Sequence, residues 1–110
     1  MSYSVTNTSI RLTRGDTLKL KINIFSSDGS AYTPKDTDVI RFAMKKGYDD
    51  TTPLILKTIP NNTLILQLDP DDTKPLDFGK YVYDVELTNE FGEVDTFITK
   101  ASIRLTEEVE

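Results

Sequence analysis

The sequence contains no cysteine, no histidine and no tryptophan. Without cysteine there is no disulfide framework, no thiolate nucleophile and no cysteine metal site, so stability has to come from packing. Without histidine the chain lacks the side chain most used as a general base near neutral pH, which is also the commonest transition-metal ligand. Long apolar runs are missing too. The longest are only a few residues, such as Leu54-Ile55-Leu56, against the ~20 residues that a membrane-spanning helix requires, so no membrane partner is expected. The segment Met1 to Asn7 has neither the basic start nor the apolar stretch of a secretory signal, which predicts a protein made and kept in the cytoplasm. The formal charge of −5 has the wrong sign for gripping a phosphate backbone, and nucleic acid is not an expected partner.

What is present is the composition of an ordinary folded domain: 110 residues, 37% hydrophobic and 28% charged. A chain of that length builds one core and hides roughly two thirds of its unfolded surface. Residues 1–110 therefore read as a single domain, with 1–7 and 106–110 expected to fray.

Apolar and polar residues alternate along most of the sequence, the period-2 pattern of half-buried strands. From Thr17 to Phe25, Leu18, Leu20, Ile22 and Ile24 share one face while Lys19, Lys21 and Asn23 take the other. Ile10 and Leu12 mark an earlier strand, and Ile40, Phe42 and Met44 a later one. Leu54 to Ile59 and Thr63 to Leu68 read as a hairpin around Pro60-Asn61-Asn62. That register pairs Leu56 with Leu66 and Leu54 with Leu68 on the inward face, leaving Ile55 and Ile65 outward as a candidate contact surface. In Asp69 to Pro75 an N-cap aspartate, a proline at the first position and two acidic residues predict a single helical turn. Tyr81, Tyr83, Val85 and Leu87 form the inward side of the next strand, and Asn89-Glu90-Phe91-Gly92 the turn after it. Val94, Thr96 and Ile98 share a parity that Ile103 and Leu105 do not, so a β-bulge is expected near Thr99 to Ser102.

Many short strands, turns of Gly, Pro, Asn and Asp, and no long crossover helices predict an all-β antiparallel sandwich with one short helical turn. Asp77-Phe78-Gly79-Lys80-Tyr81-Val82-Tyr83 resembles the Asp-x-Gly-x-Tyr-x-Cys pattern that opens strand F of immunoglobulin domains, with Tyr83 in the cysteine position. On that resemblance the sandwich is immunoglobulin-like, and Tyr81 is its tyrosine corner, with a hydroxyl that bonds back to the backbone of the preceding turn.

No residue set for catalysis emerges. Carboxylates such as Asp84 and Glu86 alternate outward, the serines lack a histidine partner, and no glycine-rich loop precedes a helix to hold phosphate. The expectation is a non-enzyme without cofactor or metal. Arg14-Gly15-Asp16 resembles an integrin-recognition tripeptide, but Gly and Asp are also what a tight turn asks for, and the turn is the preferred reading. The sequons at Asn7 and Asn61 read as polar turn residues. Asp49-Asp50 and Asp71-Asp72, with Asp69 and Asp77, carry oxygen ligands of the kind calcium takes, yet no segment has the calcium-loop pattern, and cap and loop roles account for them.

The runs Ile10-Arg11-Leu12-Thr13-Arg14-Gly15-Asp16-Thr17-Leu18, Asp28-Gly29, Arg41-Phe42-Ala43-Met44-Lys45-Lys46, Asp72-Thr73-Lys74-Pro75-Leu76 and Gly79-Lys80-Tyr81-Val82-Tyr83-Asp84-Val85-Glu86-Leu87 resemble small immunoglobulin-like proteins of phages and prophages in Gram-positive bacteria. They are similar to the N-terminal domain of baseplate upper proteins. The resemblance implies a structural component of a virion, in tail, baseplate or fibre, that assembles with copies of itself as a homo-oligomer or with other phage structural proteins. It carries no catalytic residues to transfer. The alternative is a carbohydrate- or cell-surface-binding module, for which the loop and terminal aromatics Tyr3, Tyr32, Tyr48 and Phe91 are the candidate stacking surfaces.

Overall fold

A computed structural model of the chain describes residues 3–6, 9–25, 29–47 and 49–107. Eight strands and one helical turn follow in the order β1 (Tyr3–Thr6), β2 (Ser9–Thr13), β3 (Leu18–Lys21), β4 (Val39–Lys45), β5 (Ile55–Ile59), β6 (Ile65–Leu68), α1 (Pro70–Thr73), β7 (Gly79–Thr88) and β8 (Val94–Thr106). They form a six-stranded sheet, β1-β2-β8-β7-β4-β5, and a two-stranded sheet, β3-β6. All pairings are antiparallel except β2 with β8, which run parallel. The result is an all-β, two-sheet, sandwich-like chain. Residues 3–6, expected to fray, pair with β2 as an edge strand.

The alternation read from the sequence decides which side chains fill the interior. Leu18 and Leu66 of the small sheet, and Phe42 and Val85 of the large one, belong to a single buried cluster, with Leu20 packed against it. Ile40, Phe42 and Met44 on β4 are completely buried. Burial of each such side chain contributes about 1.5–3 kcal/mol.

β5 and β6 correct the expected hairpin. β5 pairs with β4 in the large sheet, and β6 pairs with β3 in the small one, so the segment between them crosses from one sheet to the other. On β5 the register Met44↔Ile55 and Ile40↔Ile59 sets the odd-numbered residues beside inward-facing partners; on β6, Leu18↔Leu68 and Leu20↔Leu66 set the even-numbered ones inward. The expected hairpin, which sets Leu56 opposite Leu66 and so pairs like parities, cannot satisfy both requirements. Leu64 completes the crossing with a left-handed backbone, φ 56°, and its N–H donates to Pro60 O at 2.8 Å. Asn61 Nδ2 pins the crossing to the neighbouring loop by donating to Lys35 O at 2.8 Å.

The predicted bulge lies on β8. Leu87, Val85 and Tyr83 step by two along β7, while their partners Asp95, Ile98 and Ala101 step by three along β8. Two extra residues are thereby absorbed, and the inward parity changes between Ile98 and Ala101. Val94 and Thr96, expected inward, are exposed, because the slips begin after them.

One end of the sandwich is locked by the turn from β2 to β3. Gly15 takes φ 86°, and its N–H donates to the Oγ1 of fully buried Thr73 at 2.8 Å, docking α1 against the turn. Arg14 donates from its guanidinium to Leu76 O at 3.1 Å and lies 4.2 Å above the Phe78 ring. Asp69 N–H donates to Asp72 Oδ2 at 2.7 Å, tying the start of α1 together, and Pro70 occupies its first turn. At the start of β7, Tyr81 Oη donates to Asp77 O at 2.7 Å.

Candidate interaction surfaces

The two residues selected from sequence as an outward contact pair do not share a surface. Ile55 is 6% exposed and part of the core, which corrects its assignment; Ile65 is 39% exposed on the outer side of the small sheet. The physical reason is the crossing between sheets, which reverses the parity of β5 relative to the expected hairpin. Its outward residues are Leu54 and Leu56, exposed by 47% and 59%. They stand at the edge of the large sheet, where β5 has β4 on one side and, among the described residues, no further strand on the other.

Tyr81 is buried and holds the turn before β7, so it is a structural residue and not a contact. The Arg14-Gly15-Asp16 tripeptide is likewise engaged in the fold: the arginine through Leu76 and Phe78, the glycine through Thr73, and the Asp16 N–H through Thr13 O at 3.1 Å. Asn7 lies outside the described residues, and the Asn61 amide is committed to the loop contact given above. Among the aspartates weighed for calcium, Asp50 Oδ2 accepts from Gly47 N–H at 3.1 Å, and Asp72 pairs with Lys57 Nζ at 2.9 Å. Among the described residues, no group of three or more carboxylates is arranged to hold a metal ion.

Of the aromatics considered for carbohydrate stacking, the side chain of Tyr3 and all of Tyr48 lie outside the described residues. Phe91 is exposed at the tip of the β7–β8 hairpin. Tyr32 donates its hydroxyl to Asp38 Oδ2 at 2.7 Å. Asp38 is almost fully buried and also accepts from Lys35 N–H at 2.9 Å. The tyrosine hydrogen bond, followed by the backbone one, holds its carboxyl below the usual aspartate range against the opposing effect of burial. The same hydrogen bond, more than burial or the nearby charge, raises the Tyr32 hydroxyl above the ordinary tyrosine value. Burial alone pushes Tyr83 up to about 12.

Beside Tyr32 the structure opens a cleft of about 520 Å³ that sequence reading did not find. Ile24, Phe25, Leu87 and Val94 supply apolar walls, and Tyr32, Asn89, Glu93 and Asp95 supply polar groups. Phe25 is 64% exposed at its mouth. Its volume falls within the range of small-molecule clefts, and its lining is half apolar and half polar. Among the described residues, no lysine or arginine lines it. Asn89 Oδ1 accepts from Phe91 and Glu93 N–H groups, both at 3.0 Å, which fixes the hairpin carrying Glu93.

No family model, curated protein or solved structure matches the chain. Function has to be argued from the surfaces themselves.

Proposed function

We propose that this chain is a non-catalytic, immunoglobulin-like structural module of a phage or prophage particle, acting through protein–protein contacts. Support for the immunoglobulin-like part comes from strand order. The run β8-β7-β4-β5 follows the G-F-C-C′ order of variable-type domains, β3 with β6 follows the B–E pairing, and the Tyr81–Asp77 bond has tyrosine-corner geometry. The phage assignment rests on the sequence resemblance.

The observation that carries the assembly reading is the open edge at β5. Its outward residues Leu54, Leu56 and Thr58 are exposed and uncharged, and its one lysine, Lys57, is drawn to Asp72. Monomeric proteins usually protect such an edge with outward charge, a bulge or a covering element. An edge whose outward side chains carry no charge can take an additional strand from a neighbouring protein. The test is to purify particles from the source bacterium and probe them for this chain, wild type against Leu56→Asp. Incorporation of the wild type, with loss of the variant from particles while its soluble fold is kept, is the expected result. Particles that lack the wild-type chain would refute the reading.

A further inference from the structure

Across the outer face of the large sheet, Lys80 stands directly opposite Arg104, and Arg104 directly opposite Arg11. At ~4.8 Å between strands, the three cations fall within about 10 Å. All three side chains are exposed, and among the described residues none makes an ion pair. Like charges directly opposite one another weaken a sheet, and here they are retained on a protein whose net charge is −5. The next row of the same face offers no carboxylate on these strands, only Ser9 and Ser102, with the Ser102 hydroxyl 3.3 Å from that of Ser9, and Val82. Among the described residues, that neighbouring row supplies the cations with no acidic partner.

The complementary feature lies at the other end of the same strands. Along β7, Lys80 and Leu87 are separated by about 24 Å at ~3.4 Å per residue. There the described lining of the cleft presents Glu93 and Asp95 and no cation, and Phe25 and Val94 provide exposed apolar surface beside them. Apolar walls that exclude water strengthen an ion pair formed against them.

We infer that copies of this chain associate head to tail, with the Arg11–Arg104–Lys80 row of one copy seated against the Glu93 and Asp95 side of the cleft of the next. This rests on the assembly reading and names a partner for it, a second copy. The two contacting surfaces differ, so the interface is heterologous, and repetition produces a ring or a filament.

The experiment is sedimentation velocity with light scattering at low ionic strength on three proteins, each first shown by circular dichroism to be folded. The wild type is expected to form concentration-dependent oligomers that dissociate as salt is raised. A row variant, Arg11→Gln with Lys80→Gln and Arg104→Gln, and a cleft variant, Glu93→Gln with Asp95→Asn, are each expected to remain monomeric. Mixed in equal amounts, they retain one competent surface each and should form a species of two chains and nothing larger. A wild type that stays monomeric throughout, variants that still assemble, or a mixture that stays monomeric would each overturn the inference. Oligomers that persist in both variants would leave assembly standing and remove only this interface. A monomeric wild type that is nevertheless found in particles would leave the β5 edge as the contact.

Discussion

Replacing Tyr81 with phenylalanine removes one oxygen and leaves the buried ring in place. The ring sits beneath Lys46 Nζ, 4.7 Å from its centroid, and that contact survives the change. What disappears is the 2.7 Å hydrogen bond from Tyr81 Oη to Asp77 O, which closes the turn into β7. A part-buried hydrogen bond is worth about 1 kcal/mol, and a carbonyl left without its donor costs more, so the expected loss is about 1–2 kcal/mol. For 110 residues at ~2.1 cal/mol/K per residue, the unfolding entropy is about 0.23 kcal/mol/K. The melting temperature should therefore fall by about 4–9 °C, read by calorimetry or by circular dichroism in the β region. Urea denaturation should show the same loss with an unchanged slope, because the surface exposed on unfolding is the same. A fall of less than about 1 °C would mean that the turn holds without this bond, and the tyrosine-corner argument would be refuted.

The crossing of the chain between sheets makes a prediction that distinguishes two isoleucines of similar sequence context. Ile55→Ala should cost about 2–4 kcal/mol, as expected for truncating a core side chain, while Ile65→Ala should cost about 1 kcal/mol. Equal losses in chemical denaturation would contradict the separation of β5 and β6 into different sheets. Asp38 supplies a test of pH dependence. Its folded carboxyl is held below the ordinary range, chiefly by Tyr32, so its contribution is present above the unfolded value and fades as pH falls through the folded one. Asp38→Asn should be less stable than the wild type by about 1–3 kcal/mol at pH 7, with the gap narrowing on acidification below about pH 4. A gap that widens in acid would reverse the assigned direction.

Strand existence and strand faces were legible where a strand's own alternation is complete. Leu18, Ile40, Phe42, Tyr81 and Val85 are buried as the period-2 pattern requires, and the helical turn begins at Pro70 after Asp69 as its cap residues demand. The change of parity on β8 was also visible, since Ile98 and Ile103 cannot lie on one face without an extra residue. β5 was misread because Leu54, Ile55 and Leu56 form a continuous apolar run. Either parity buries something there, and local sequence does not rank the two choices.

Period-2 patterning thus determined which side chains within one strand travel together, because successive side chains leave a strand on opposite sides. It did not determine which strand lies beside which. That was decided by the tertiary structure, through the pairing of β5 with β4, β6 with β3, and β2 in parallel with β8. The exposed Leu56, the cleft beside Phe25, and the row formed by Arg11, Arg104 and Lys80 all follow from that pairing. Each joins residues distant along the chain, and their proximity is set by the burial of one shared core, a non-local condition that no short stretch of sequence contains.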